Sequence, residues 1–343
     1  MKRRMHLGLL VLLAVAAATA SPGGVAADAA AGIDREYKLS TALSPTFALG
    51  RAAARWAELV GEKSAGRRRL KLHPGATLAQ RDPTREFAAL RDGAAELAVG
   101  SSLAWAGAVP ALNLVGLPWS APTDAKLAAF TREPLVAVLR DALAAAGVEP
   151  LAFAALGHRA LVLARTGLAH PDDLSGLRLR IPPSLLLADL YGGMGALPRT
   201  LGFADAQAAF KAGTLDGQDG TPATFAAARL DALGMKQVVD WKAVGEVAVF
   251  AVNRRVWQGW PEADREVVRA AAIEAAAALA VLARDENDRA LAELRRQGFA
   301  LTRLTTEGRG AFAAAAKGAY DKAAAAVGPE IVRSAETLLA AEP

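Results

Sequence analysis

Apolar residues recur along this chain in two periods, and the switches between the periods mark out its elements. Tyr37, Leu39 and Thr41 alternate with polar neighbours, which predicts a first strand over 36–42. Ser44-Pro45-Thr46 then starts a helix whose apolar face is Ala52, Trp56, Leu59 and Val60, ended by Gly66. Arg69 to His73 alternates again. Asp82-Pro83 reads as a helix start, a capping side chain followed by proline at the first helical position, with Phe87 and Leu90 on one face and Gly93 as the stop. Ala95 to Val99 is a strand that ends at Gly100-Ser101-Ser102. Strand, helix, strand, helix, strand is the order of a mostly parallel sheet with right-handed crossovers.

Trp105 to Trp119 carries Pro110 and Pro118 and reads as a short helix and loop, and a helix is expected from Asp124 to Ala146. Leu151 to Ala155 and Arg159 to Ala164 look like strands that leave the first lobe. Leu177, Leu179 and Ile181 alternate with Arg178 and Arg180, so this strand carries two guanidiniums on one face and belongs to a second sheet. Pro182-Pro183-Ser184 ends it, and Leu185, Leu186, Asp189 and Leu190 begin a helix. Phe203 to Ala212 is a helix closed by Gly213, Thr214 to Gly217 a short strand and turn, and Lys236 to Val239 and Val247 to Asn253 are strands. From Glu262 to Gln297 nothing breaks a helix until Gly298. At 1.5 Å per residue that run spans roughly 54 Å, longer than a small domain is wide, so it is expected to cross both lobes.

Composition adds export to this picture. Lys2, Arg3 and Arg4 precede an apolar run from Leu7 to Ala20, with small-residue cleavage sites at Ala18-Thr19-Ala20 and Val25-Ala26-Ala27. An uncleaved anchor is the alternative, although the run is short for a membrane span. The Arg3-Arg4 pair is a weak pointer to the twin-arginine route. There is no cysteine, hence no disulfide and no lipid-modified cysteine at the cleavage site. The bacterial periplasm fits these features best. Loss of the three leader cations takes the net charge from +5 to +2, which leaves no footprint for nucleic acid.

Arg180 sits at the carboxyl end of a strand, just before a helix. In open α/β sheets ligands bind in the crevice outside those ends. A guanidinium there can hold a carboxylate through two parallel hydrogen bonds. The pattern alone leaves open a solvated arginine on an edge strand. Other chemistry has less support. The histidines (His6, His73, His158 and His170) are scattered, and no metal site is expected. Asp216-Gly217-Gln218-Asp219-Gly220 lacks the ligand spacing of a calcium loop, and Gly192-Gly193-Met194-Gly195 matches no phosphate-binding fingerprint. No catalytic constellation is visible and no cofactor is expected. Trp56 sits on an apolar helical stripe and is expected in the core. The other five tryptophans lie near loops, where most would pack between lobes and one or two would face a ligand.

Three stretches in order carry a resemblance: Pro171-Asp172-Asp173-Leu174-Ser175-Gly176-Leu177-Arg178-Leu179-Arg180-Ile181-Pro182, Met194-Gly195-Ala196-Leu197-Pro198, and Phe210-Lys211-Ala212-Gly213-Thr214-Leu215-Asp216-Gly217-Gln218-Asp219. Trp56-Ala57-Glu58-Leu59-Val60, Gly66-Arg67, Pro74-Gly75 and Leu117-Pro118-Trp119 extend it upstream. Over roughly residues 35 to 300 the chain resembles the substrate-binding proteins of tripartite ATP-independent periplasmic (TRAP) transporters, which include C4-dicarboxylate-binding proteins. The resemblance implies an α/β, two-lobed periplasmic binding protein that closes on its ligand. Each lobe would be a mostly parallel sheet flanked by helices, with the long helix spanning both. The expected division is a signal peptide over 1–27, lobe I over 35–156 plus about 247–283, and lobe II over 157–246 plus about 284–343. It further implies a monomer, not an enzyme, that hands a small carboxylate to TRAP membrane subunits driven by a sodium gradient. The alternative is an exported α/β enzyme acting on a small carboxylate.

The family's carboxylate-clamping arginine falls on Arg180, a second arginine on Arg159 in Gly157-His158-Arg159, the pocket aromatic on Phe203 and a first-lobe polar contact near Ser101. Arg159 has a second possible role, fixing a neighbouring acidic side chain. Trp241 matches a pocket position loosely. Two departures stand out: Ala79 replaces a glycine, and Gly220 stands where an asparagine is usual, which is expected to remove a polar partner and open space. With Phe203, Trp241, Phe47 and Gly220 around the clamp, the expected ligand is a monocarboxylate with an apolar or aromatic portion rather than a hydroxylated sugar acid. A small 2-oxo or 2-hydroxy acid and a dicarboxylate held by both arginines stay open.

Overall fold

The computed structural model describes residues 36–342, so the expected signal segment lies outside the described residues. Its strands are β1 (Glu36–Thr41), β2 (Arg69–Pro74), β3 (Leu97–Ser101), β4 (Val148–His158), β5 (Ala160–Leu163), β6 (Arg178–Ile181), β7 (Leu197–Thr200), β8 (Gly217–Gly220), β9 (Gln237–Val239), β10 (Gly245–Asn253) and β11 (Ala300–Thr302). They form two mixed sheets flanked by helices. The first has the order β2-β1-β3-β10-β4 and the second β11-β9-β5-β8-β6-β7. β1 runs parallel to β2 and β3, whereas β10 returns antiparallel to β3 and β4. In the second sheet β6 is parallel to both β7 and β8, and β5 is antiparallel to β8 and β9.

The first passage from one sheet to the other takes a single residue. β4 ends at His158, β5 begins at Ala160, and Arg159 stands between them. Its backbone N–H donates to the carbonyl of Val244, just ahead of the returning strand β10, at 2.9 Å. Gly157 has φ +102°, the left-handed region, and an added Cβ there would lie 2.8 Å from the Asn287 amide nitrogen. Only glycine suits both demands.

Helix Ala48–Lys63 buries Leu49, Ala52, Ala53, Trp56, Leu59 and Val60 on one face, at the spacing the sequence shows. The indole of Trp56 donates to the Val268 carbonyl at 3.2 Å, which fixes this helix to helix Glu262–Arg296. The long helix buries Val268, Ala271, Ala272, Ala275, Ala276, Leu279 and Ala283 in the core of the first sheet, and Leu294 in a core of the second. It therefore spans both. Alanines along its buried face let the sheet approach closely. No helix among the described residues is long and apolar enough to cross a membrane.

Two expectations fail locally. The helix expected from Asp124 to Ala146 is two helices, Asp124–Ala129 and Leu135–Ala145, because Pro134 has no N–H to continue the ladder. The strand expected over Thr214 to Gly217 lies at Gly217–Gly220 instead. Asp216 is held at its edge: its carboxylate takes the Arg178 Nε, NH2 and backbone N–H at 2.8, 2.7 and 2.9 Å.

Candidate functional site

Strand register brings four polar side chains into one buried line, and Tyr191 of helix Leu185–Gly193 extends it. Asp219 of β8 pairs with Leu161 of β5, and Arg159 lies two residues before Leu161, on the same face. Across the first sheet Glu246 of β10 pairs with Gly157, and Ser101, the last residue of β3, pairs with Ala248 two residues along. Arg159 accordingly donates from Nε to Asp219 and from NH1 to Glu246 at 2.7 Å. Glu246 also takes the Ser101 hydroxyl proton, and Asp219 takes that of Tyr191 at 2.8 Å. Ser101, Glu246, Arg159, Asp219 and Tyr191 thus form a continuous hydrogen-bonded chain from the first sheet to the second. Ser101 doubles as the cap of a short helix, accepting from the Ala104 N–H at 3.2 Å.

Arg180 of β6 is equally buried, at 7% exposure. Its Nε donates to the carbonyl of Leu201 at 3.0 Å. No carboxylate among the described residues pairs with its guanidinium. Burial, and then repulsion from Arg159, lower its pKa to about 10, against a weaker attraction from Asp219. A buried guanidinium in this condition has donors free for an anion. Gln218, its register partner on β8, is fully buried with both amide ends unpartnered.

A cavity of about 520 Å³ opens beside this line, with Phe47, Arg51, Arg159, Thr221, Thr224 and Glu246 on its wall. Phe47 and Arg159 are therefore brought together. Phe203 meets Phe47 edge to face, 5.2 Å between centroids, and follows Leu201 by two residues. Ser101 adjoins the cavity through Glu246. Arg180, Ser101, Phe203, Gly220 and Trp241 are not on that wall.

Two expectations change here. Gly220 does not open space: a Cβ at this position would meet the ring of Phe225 at 2.5 Å, so the phenyl group occupies the room a side chain would need. Trp241 lies in a separate aromatic cluster, 2% exposed, stacked on Tyr191 and edge-on to Trp119 and Phe312. It borders a second cavity of about 420 Å³, which also has His158 and Asp124 on its wall. Glu246 and Asp219 are the two site carboxylates that sequence reasoning did not single out. Their only signal was an acidic residue inside an otherwise apolar or glycine-rich strand.

Comparison with known proteins places the chain among transport proteins. The family described as bacterial extracellular solute-binding protein, family 7, matches residues 39–326. A TRAP periplasmic solute binding protein from Ralstonia eutropha H16, solved with bound (S)-2-hydroxy-2-methyl-3-oxobutanoate, is 36% identical. It superposes with a TM-score of 0.86, covering 89% of this chain and 98% of that one. The C4-dicarboxylate-binding periplasmic protein DctP of Rhodobacter capsulatus is 26% identical over 88% of this chain and 90% of its own length. An uncharacterized protein of Sinorhizobium fredii, y4mM, is 30% identical over 75% of this chain but 47% of its own length, so the chain spans about half of that relative.

Proposed function

The chain belongs to the bacterial extracellular solute-binding proteins of family 7, and from that premise we propose that it captures an organic acid by one carboxylate on Arg180 and delivers it to TRAP membrane subunits. The observation that carries this reading is the contrast in partners: Arg159 and Arg178 each have a carboxylate, and Arg180 has a carbonyl alone. A ligand carboxylate completes the guanidinium through two parallel hydrogen bonds and offsets its desolvation.

In this reading Phe47 and Phe203 close over the apolar part of the ligand from the two sides of the cleft. The two lobes are residues 35–156 plus about 247–283, and 157–246 plus about 284–343. The protein works as a monomer, exported with cleavage near Ala20 or Ala27. The ligand is a monocarboxylate with an apolar portion. The 36% identical neighbour supports this choice over a sugar acid, because the acid in its site is a small branched monocarboxylate.

Mass spectrometry of material released from the purified protein, followed by calorimetry with aromatic acids, branched 2-oxo and 2-hydroxy acids, dicarboxylates and sugar acids, tests the reading. Binding without turnover, lost in Arg180→Ala, is expected. Conversion of a bound acid to product would favour the exported-enzyme alternative, and undiminished binding by Arg180→Ala would remove the clamp.

A further inference from the structure

We infer that Glu246 makes this a site for hydroxylated monoanions and turns dicarboxylates away. The inference rests on the carboxylate clamp at Arg180 and adds which acids the clamp admits. Glu246 stands on the cavity wall although it is 7% exposed. One of its oxygens takes the Ser101 hydroxyl proton and the other the Arg159 NH1 proton. An ionised carboxylate has about four acceptor positions and no donor, so two positions are left for the cavity. A ligand hydroxyl can donate to them. A second ligand carboxylate cannot.

Charge counting points the same way. The buried charges here are Arg159 between Asp219 and Glu246, with Tyr191 and Ser101 as neutral donors, and Arg180, which feels both Arg159 and Asp219. Four ionised groups sum to zero before a ligand enters, and a monoanion brings the cluster to one negative charge. A dianion takes it to two negative charges, and buried charges are poorly screened. The cations farther out on the wall do not change this, because Arg51 is paired with Glu286 and Arg296 with Glu293, and Arg289 is exposed to solvent. Arg159 is the remaining candidate for a second carboxylate, and it already holds two.

Four-carbon acids separate the contributions: 2-hydroxybutanoate has the hydroxyl and one carboxylate, butanoate lacks the hydroxyl, and malate adds a second carboxylate. In calorimetry on the native protein, with both enantiomers, 2-hydroxybutanoate is expected to bind at least about tenfold more tightly than butanoate or malate. Glu246→Gln keeps an acceptor for Arg159 and removes the charge. It is expected to bring malate within about threefold of 2-hydroxybutanoate. Native binding of malate as tight as that of 2-hydroxybutanoate overturns the inference but leaves the clamp standing, provided that Arg180→Ala abolishes both. A Glu246→Gln protein that folds and still rejects malate also overturns it. Should that variant fail to fold, the native panel decides alone. Binding of none of the three acids overturns the inference, and the wider acid panel on native protein and Arg180→Ala then decides the clamp separately.

Discussion

Arg159 and Arg180 are the same residue, buried to the same 7%, in neighbouring parts of one molecule, and their surroundings are opposite in kind. At the passage between the sheets Arg159 meets two carboxylates that are themselves held by Ser101 and Tyr191. At the end of β6 Arg180 meets one backbone carbonyl. A buried charge costs several kcal/mol unless it is paired. The first region is complete as it stands and serves the fold. The second is incomplete, and in the proposed function an anion from outside completes it. Burial is thus the same at both arginines, and what differs is the state of their partners.

The comparison is broken most severely from the Arg159 side. Arg159→Ala leaves Asp219 and Glu246 buried without a cation, which is expected to lower stability by about 3–5 kcal/mol in denaturant unfolding, whether or not ligand is present. Arg180→Ala should act in the opposite sense. Ligand affinity is expected to fall by about 2–5 kcal/mol in calorimetry, while the melting temperature of the ligand-free protein holds or rises, because an uncompensated buried cation has been removed. Arg180→Lys keeps the charge without the planar fork, and its affinity should fall between those of the native protein and Arg180→Ala.

A buried carboxylate sharpens the contrast further. Glu86 takes the Ser40 hydroxyl at 2.9 Å and pairs with no cation among the described residues. Burial, offset in part by hydrogen bonding, raises its pKa from 4.5 to about 7. The native state therefore keeps a proton that the unfolded chain loses, so stability falls as pH rises from about 4.5 to 7, and then levels. The loss should be on the order of 3 kcal/mol. Comparing unfolding at pH 5 and pH 8 for the native protein and Glu86→Gln checks this, with a flatter profile expected for the variant. The smallest effect is expected at Phe203→Ala. Losing its edge-to-face contact with Phe47 should weaken binding of a branched acid by about 0.5–1.5 kcal/mol in calorimetry and leave stability nearly unchanged.

Much of this arrangement was legible in the chain. The alternation of Leu177, Leu179 and Ile181 with Arg178 and Arg180 located β6, and uninterrupted helix formers from Glu262 to Gln297 located the long helix. Local period was enough in both cases. The halves of the buried charge line were not legible, because Arg159 and Glu246 lie 87 positions apart and meet only through the β4–β10 register. Gly217–Gly220 contains no residue that favours a strand, and it becomes one by pairing on both sides with β5 and β6. Gly220 misled in a specific way: a glycine suggests empty space, and here the space belongs to Phe225. Trp241 was placed at the site by a loose match to a family pocket position, but it stacks on Tyr191 within the core.

A crystal structure of the protein with a bound 2-hydroxy monocarboxylate tests the contrast between the two arginines most directly. The account predicts both ligand carboxylate oxygens about 3 Å from the Arg180 guanidinium, with Arg159 still bonded to Asp219 and Glu246. A ligand carboxylate seated on Arg159, with Asp219 or Glu246 turned away and Arg180 still without an anion, would contradict it.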